Sequence, residues 1–283
     1  MPADNSNSRT WFITGTSQGF GRELVRAALD RGDCVVATSR SPEKVRAAFA
    51  DAGDRLHTAA MDLDNPTQIA ATVDSAIQRF GRIDVLINNA GYGLLGALEG
   101  ASDAEITRIF ETNVFGLLRV TRAVLPHMRR ERRGHIVNLS SIGGLVGLPG
   151  WGIYNATKFA IEGLSEALAL EVAPLGIGVT IVEPGPFRTD FLGESLAMVE
   201  KRFPDYQQIT EKTLNYQKEN AGVQAGDPAR GAKAIIDAVT SKNPPLHLLL
   251  GALAYQRATT KINSLSKEIE TWRDVTLATD FQK

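Results

Sequence analysis

Cysteine is nearly absent: Cys34 is the single one in 283 residues. That excludes an intrachain disulfide framework and a thiolate metal site, and it fits a reducing, cytoplasmic compartment. Cys34 lies inside the apolar run CVVATS and reads as a small core residue rather than a nucleophile. An excess of charge is absent too. Lys and Arg number 31 against 32 Asp and Glu, a formal net charge of −1, so no global field recruits nucleic acid or an anionic membrane. The four histidines, His57, His127, His135 and His247, have no metal-ligand spacing, and no metal is expected. No apolar run reaches the roughly 18 residues that a membrane-spanning helix needs. The N-terminal MPADNSNSRT lacks the apolar segment of a signal peptide and reads as a short disordered lead-in. Repeats and low-complexity segments are lacking as well.

What is present is an alternation. Short β-branched or apolar runs (WFIT, CVVATS, LHTAAMDL, IDVLINN, HIVNLS, GVTIVEPG) are separated by segments with helical spacing. SPEKVRAAFADAG opens with an N-cap serine and a proline at the first helical position, and both it and PTQIAATVDSAIQRFG stop on glycine. A long helix is expected over about 103–131, interrupted near Pro126, and another over 152–176. Strands apolar on both faces predict an α/β fold: a doubly wound parallel sheet of Rossmann type with helices on both faces. The whole chain, 1–283, reads as one domain. Residues 186–226 read as a helical substrate lid rather than a sheet repeat, and 251–283 as a C-terminal helix and tail.

TGTSQGFG, residues 14–21, follows the first strand and opens the first helix. Its spacing is GxxxGxG rather than GxGxxG, but the physics is shared. Glycines permit a tight turn and let the backbone approach a pyrophosphate at a helix N-terminus, where free N–H groups and the dipole favour anions. Gly15, Ser17, Gln18, Gly19, Phe20 and Gly21 are therefore candidates to bind a dinucleotide. Ligands of such sheets lie beyond the carboxyl ends of the strands. There the second strand offers Ser39 and Arg40, the third Asp62 and Leu63, and the fourth Asn89, Ala90 and Gly91. An acid after strand two would bind ribose hydroxyls and repel a 2′-phosphate, whereas the Arg40 guanidinium can pair with one. NADP(H) is expected over NAD(H), although Arg40 also reads as a solvated surface residue.

YNATK places Tyr154 and Lys158 four residues apart, on one helix face. Lowering a phenol pKa from about 10 to about 7 takes about 4 kcal/mol. A cation about 4 Å away supplies about that at an effective dielectric near 20. Lys158 can thus make Tyr154 an acid/base in a sheltered cleft. The YxxxK pattern is short and arises by chance on amphipathic helices; its setting is what matters. NLSSIGG puts Ser140 and Ser141 at the same sheet edge, where a hydroxyl could hold a substrate oxygen, and Asn113 is a polar residue on an otherwise apolar helix.

In order and spacing, TGTSQGFG, NNAG, Asn113, LSSIGG, YNATK and PGPFRT resemble the short-chain dehydrogenase/reductase family over about 11–189. NAGYGLLGALE and SSIGGLVGLPG look like the branch of 17β-hydroxysteroid dehydrogenase type 1 and retinol dehydrogenases. The resemblance implies Ser141 as catalytic serine, Tyr154 as general acid/base, Lys158 on the nicotinamide ribose and Asn113 in a proton relay. It puts Pro184, Gly185 and Thr189 on the nicotinamide side, with Phe187 a departure from the smaller residue common there. It also implies a homodimer or homotetramer that pairs two long helices. Tyr92, Leu94, Leu95, Ile142, Leu145, Val146, Trp151, Phe187, Phe191, Leu192 and Met198 sketch an apolar wall for a lipophilic ketone, aldehyde or secondary alcohol. Two other classes remain open: a non-catalytic NADPH-binding sensor or scaffold, and a nucleic-acid binder prompted by HMRRERRGH. The intact Ser–Tyr–Lys set argues against the first, and a solvated helix C-terminus explains the second.

Overall fold

Continuous apolar runs fold as strands buried on both faces, and in the computed structural model seven of them form one parallel sheet. The structure describes residues 8–281; residues 1–7 of the expected lead-in and 282–283 of the expected tail lie outside the described residues. The elements in chain order are β1 (Thr10–Thr14), α1 (Gly19–Asp30), β2 (Cys34–Ser39), α2 (Pro42–Ala48), β3 (Leu56–Ala60), α3 (Pro66–Phe80), β4 (Val85–Asn88), β5 (Gly93–Leu95), α4 (Asp103–Phe110), α5 (Leu117–Glu131), β6 (Gly134–Leu139) and α6 (Gly152–Val172). They continue with β7 (Ile177–Pro184), β8 (Leu196–Met198), α7 (Gln207–Asn220), α8 (Pro228–Thr240), β9 (His247–Leu250), α9 (Ala252–Thr271) and α10 (Arg273–Leu277). The sheet runs β3-β2-β1-β4-β6-β7-β9 with every neighbouring pair parallel.

The period of two along each strand divides the core. Trp11 and Ile13 of β1 point to one face and pack with Leu24 and Val25 of α1 and Ile235 of α8. Phe12 points to the other and packs with Ile69 of α3 and Val120 and Val124 of α5. Local signals set the helix ends. Asn65 accepts from Gln68 N at 3.1 Å and starts α3, while Gly81 at φ +78° stops it. Ser41 stands at the N-cap of α2 without a side-chain cap; its own N–H donates to Ser39 Oγ.

Two expectations need correction. The interruption of the long helix is not at Pro126, which lies inside α5; it is a π-helical turn over Glu111–Gly116 that contains Asn113. Pro126 removes one backbone bond, but Val124 and Met128 keep that stretch packed in the core. The segment after Pro184 is only partly helical. Its β8 pairs in parallel with β5, a three-residue match too short to leave a period in the sequence. The basic run 127–135 spans the carboxyl end of α5 with Arg129, Arg130, Arg132 and Arg133 exposed, as expected for a solvated helix end. Arg132 donates to the Pro174 carbonyl oxygen, and Arg133 pairs with Asp84.

Asp84 is the joint at the amino ends of the strands. Its carboxylate accepts from Thr10 N at 2.8 Å and from Arg82 Nε at 2.9 Å, besides Arg133. It is 8% exposed. Asp84→Ala would orphan a buried N–H and two guanidinium groups that are partly solvated. It is expected to lower unfolding free energy by about 2 kcal/mol in urea melts. Turnover per folded molecule is expected to stay near wild type, because Asp84 lies at the end of the sheet opposite the strand carboxyl ends.

Candidate active site

The strand order reverses between β1 and β4, which opens a crevice beyond their carboxyl ends. The loop after β1 is held tightly there. Gly15 has φ +69°, and a Cβ on it would lie 2.8 Å from the Ala90 Cα; a Cβ on Gly21 would strike the Gly15 carbonyl oxygen. Asn89 Nδ2 donates to the carbonyl oxygens of Thr14 and Gly15 at 2.9 and 3.0 Å. Thr14 Oγ1 accepts from the N–H groups of Asn89 and Ala90. One threonine and one asparagine thus clamp the loop to the end of β4. Gln18 precedes α1 without a side-chain cap, and the first turn has no acid. Its N–H groups suit an anion. A cleft of about 320 Å³ runs along this helix end, with Gln18, Gly19, Arg22, Arg188 and Thr189 in its lining. Backbone donors, guanidinium groups and glycines with no room for a side chain fit a pyrophosphate.

Around this crevice the other candidates separate into those that converge and those that do not. Ser39 is buried at the end of β2 and Arg40 beside it is exposed. Asp62 and Leu63 follow β3, Leu63 packing against Gly116 of the π-helical turn. Pro184 ends β7, Gly185 N donates to the Leu250 carbonyl oxygen, and Thr189 is brought against Gly19. Ser17 sits in the loop half-buried. Phe187 and Phe20 do something different with their side chains. Their rings pack on one another at 4.8 Å and against Gly231 of α8, so both serve the core.

Tyr154 and Lys158 lie on one face of α6, 7% and 6% exposed. Lys158 Nζ donates to the Leu139 carbonyl oxygen at 2.7 Å and stands 5.7 Å from the centre of the Tyr154 ring. Burial pushes the Tyr154 phenol up to about 12, with a hydrogen bond from Ser141 opposing. Burial also lowers Lys158 to about 8, with Glu162 opposing. The expected depression of the phenol pKa is therefore absent in the protein alone: desolvation outweighs an ammonium directed at a backbone carbonyl. Ser141 Oγ accepts from Gly143 N at 3.0 Å. Asn113, 1% exposed, accepts from Tyr92 N and donates to the Tyr92 carbonyl oxygen and to Thr157 Oγ1. Thr157 in turn donates to the Tyr154 carbonyl oxygen at 2.7 Å. The π-helical turn thus carries an asparagine that ties β5's approach to the tyrosine's helix.

Trp151, Phe191 and Tyr154 form an aromatic cluster, with centroid separations of 5.6, 6.2 and 5.5 Å. Tyr92, Leu94 and Val199 pack with it. Leu95 is fully buried and outside this cluster, and Ile142, Leu145 and Val146 pack instead with Ala254 and Ala258 of α9. The apolar wall expected from the sequence therefore divides in two. Some residues that build the site escaped sequence reading. Asn155, inside YNATK, donates to the Gly143 carbonyl oxygen and accepts from Leu148 N, which pins the serine loop. Its only sequence signal was its place beside Tyr154.

One turn beyond Lys158, Glu162 meets Glu183 of β7 and His247 of β9, with a ligand-capable atom of each within 4.8 Å of the others. His247 Nδ1 is 2.7 Å from Glu183 Oε1. Burial pushes Glu162 up to about 7, with Glu183 adding to the rise and His247 and Lys158 opposing it. Burial likewise raises Glu183, with His247 opposing. A carboxyl whose folded pKa is raised binds its proton more tightly in the native state. Its contribution is intact below about 4.5 and lost as pH climbs to about 7. Glu162→Gln is therefore expected to stabilise the protein by at most about 3 kcal/mol at pH 8, with the gain shrinking steadily toward pH 4.5. Thermal melts across that range check it; a gain independent of pH would contradict the assignment.

Comparison with known proteins agrees with this geometry. The family model described as short chain dehydrogenase matches residues 9–200. The chain is similar to oxidoreductase BOA17 of Botryotinia fuckeliana, 38% identical over 96% of this chain and 99% of that one. It is 40% identical to retinol dehydrogenase 8 of Homo sapiens over 84% and 80% of the two chains. The crystal structure of a short-chain dehydrogenase from Streptomyces avermitilis superposes with TM-score 0.89 at 40% identity, covering 97% of this chain and all of that one. ElxO with NADP bound superposes with TM-score 0.71 at 27% identity, covering 86% and 96%. A clamped glycine loop at the sheet's switch point, a buried Tyr–Lys pair on one helix and these likenesses have one meaning: the chain belongs to the short-chain dehydrogenase family, and it is an oxidoreductase.

Proposed function

We propose that the protein interconverts a lipophilic ketone or aldehyde and the corresponding alcohol, with NADP(H) favoured over NAD(H). The observation that carries this reading is the buried Tyr154–Lys158 pair beside Ser141 and an aromatic wall. The nicotinamide supplies or accepts the hydride when bound. In reduction, Tyr154 gives its proton to the substrate oxygen, which the Ser141 hydroxyl holds. A phenol pushed up to about 12 holds its proton at neutral pH, so the phenolate has to be stabilised for that proton to be given up. Lys158, still mostly cationic at pH 7, stabilises the phenolate left behind and would hold the ribose of the cofactor when it is bound. Asn113 and Thr157 hold the backbone of Tyr92 and Tyr154 in register. Trp151, Phe191, Tyr92 and Leu94 exclude water and favour an apolar substrate.

Support for NADP(H) comes from Arg40. It is exposed, follows the buried Ser39 at the end of β2, and leaves no carboxylate at the position that would repel a 2′-phosphate. Residues 186–226, with β8 docked on β5 and α7 beyond it, serve as the lid over the substrate.

Tyr154→Phe is expected to abolish reduction of an aryl ketone while leaving the dissociation constant for NADPH within about threefold; an active variant would remove Tyr154 from the mechanism. Arg40→Asp is expected to weaken NADPH by at least about tenfold and NADH hardly at all, read by fluorescence titration. Equal losses would take Arg40 away from the phosphate.

A further inference from the structure

The helix α9 begins on the body of the protein and leaves it. Ala254 and Ala258 are buried against Ile142, and beyond them every residue from 260 to 281 is exposed. The same stripe continues off the edge as Ile262, Leu265, Ile269 and Trp272, which are 62%, 44%, 62% and 62% exposed. Their spacing of three, four and three is that of a coiled-coil seam. At 1.5 Å per residue the seam is about 15 Å long. A helix arm with no tertiary cover is marginal in water, and four large apolar side chains on one line are costly to leave there.

The charges on the arm point to what covers it. From 252 to 267 it carries Arg257, Lys261 and Lys267 and no acid, a net charge of +3. From 268 to 281 it carries Glu268, Glu270, Asp274 and Asp280 against Arg273 alone, a net charge of −3. Within α9, where Glu268 and Glu270 stand in the last turn, this gradient opposes the preference of the helix's own dipole, which favours acids at the amino end and bases at the carboxyl end; Asp274 and Asp280 lie beyond α9. Among the described residues, the sole ion pair of the arm joins the neighbours Arg273 and Asp274. The gradient thus serves little inside the helix. An antiparallel copy of the same helix satisfies it, laying each basic half along an acidic half. A parallel copy would set like on like, and an anionic bilayer would repel half the arm.

We infer that the arm made of α9 and α10 is a dimerisation element, which pairs antiparallel with the same arm of a second copy of this chain about a two-fold axis near residue 267. In that register Ile262 of one copy faces Trp272 of the other, and Leu265 faces Ile269, so all four seam residues are matched. A two-fold seam is self-complementary and closes without further growth. This surface is separate from the long helices α5 and α6, so the arm adds a contact to any pairing made through them.

The test uses the full chain. Light scattering is expected to show that Leu265→Glu with Ile269→Glu halves the mass of the assembly, or raises its dissociation constant by at least about 100-fold. Orientation is read by disulfide trapping in a Cys34→Ser background. Mixing Leu265→Cys protein with Ile269→Cys protein is expected to give a cross-linked heterodimer, whereas Leu265→Cys alone gives little. Wild-type protein that is monomeric, a mass unchanged by the double variant, or cross-linking by Leu265→Cys alone would overturn the proposal. So would co-sedimentation of the wild type with vesicles of phosphatidylcholine and phosphatidylglycerol that the double variant loses.

Discussion

A parallel sheet between two helical layers has no solvated face, and that constraint governs this molecule. Strands such as β1, β2 and β4 must be apolar on both sides, so polar chemistry is expelled to their ends. At the amino ends the remaining polar groups gather on Asp84, which ties three strand starts together. At the carboxyl ends they become the site. The reversal of order between β1 and β4 leaves a gap in the helical cover, and the glycine loop, Asn89 and the serine loop all border it.

Burial then sets the electrostatics of that site. Tyr154 and Lys158 are both more than nine-tenths buried, and each shifts toward its neutral form. The ammonium is kept by a backbone carbonyl at 2.7 Å and by the field of Glu162, one turn further along the same helix. Glu162 is in turn held beside Glu183 and His247, which ties the catalytic helix to β7 and β9. The charge state of the site is thereby linked to three elements that no short motif spans.

Legibility followed the range of the interaction. TGTSQGFG was readable because its glycines answer a local demand, a sharp turn and a close backbone, which contact with Ala90 enforces. YNATK was readable as a shared helix face because a period of 3.6 is local. The π-helical turn at Asn113 was not readable, and Pro126 drew attention to the wrong residue; core packing outweighed one lost backbone bond. Phe187 was assigned to the cofactor side by its position in PGPFRT, yet its ring turns to Phe20 and Gly231, a preference set by space between α1 and α8. The histidines showed no metal spacing along the chain, but His247 meets two glutamates from distant elements.

By itself the sequence determined the class of fold, the alternation of the main-sheet strands with helices up to β7, the switch-point loop and the tyrosine–lysine face. These depend on periodicity, on glycine and proline, and on residues close in the chain. Only the tertiary structure decided which apolar residues wall Tyr154 and which pack under α9, that β8 docks on β5, and that burial raises the phenol rather than lowering it. Those outcomes depend on desolvation and on the space left between elements, and neither exists until the chain has folded.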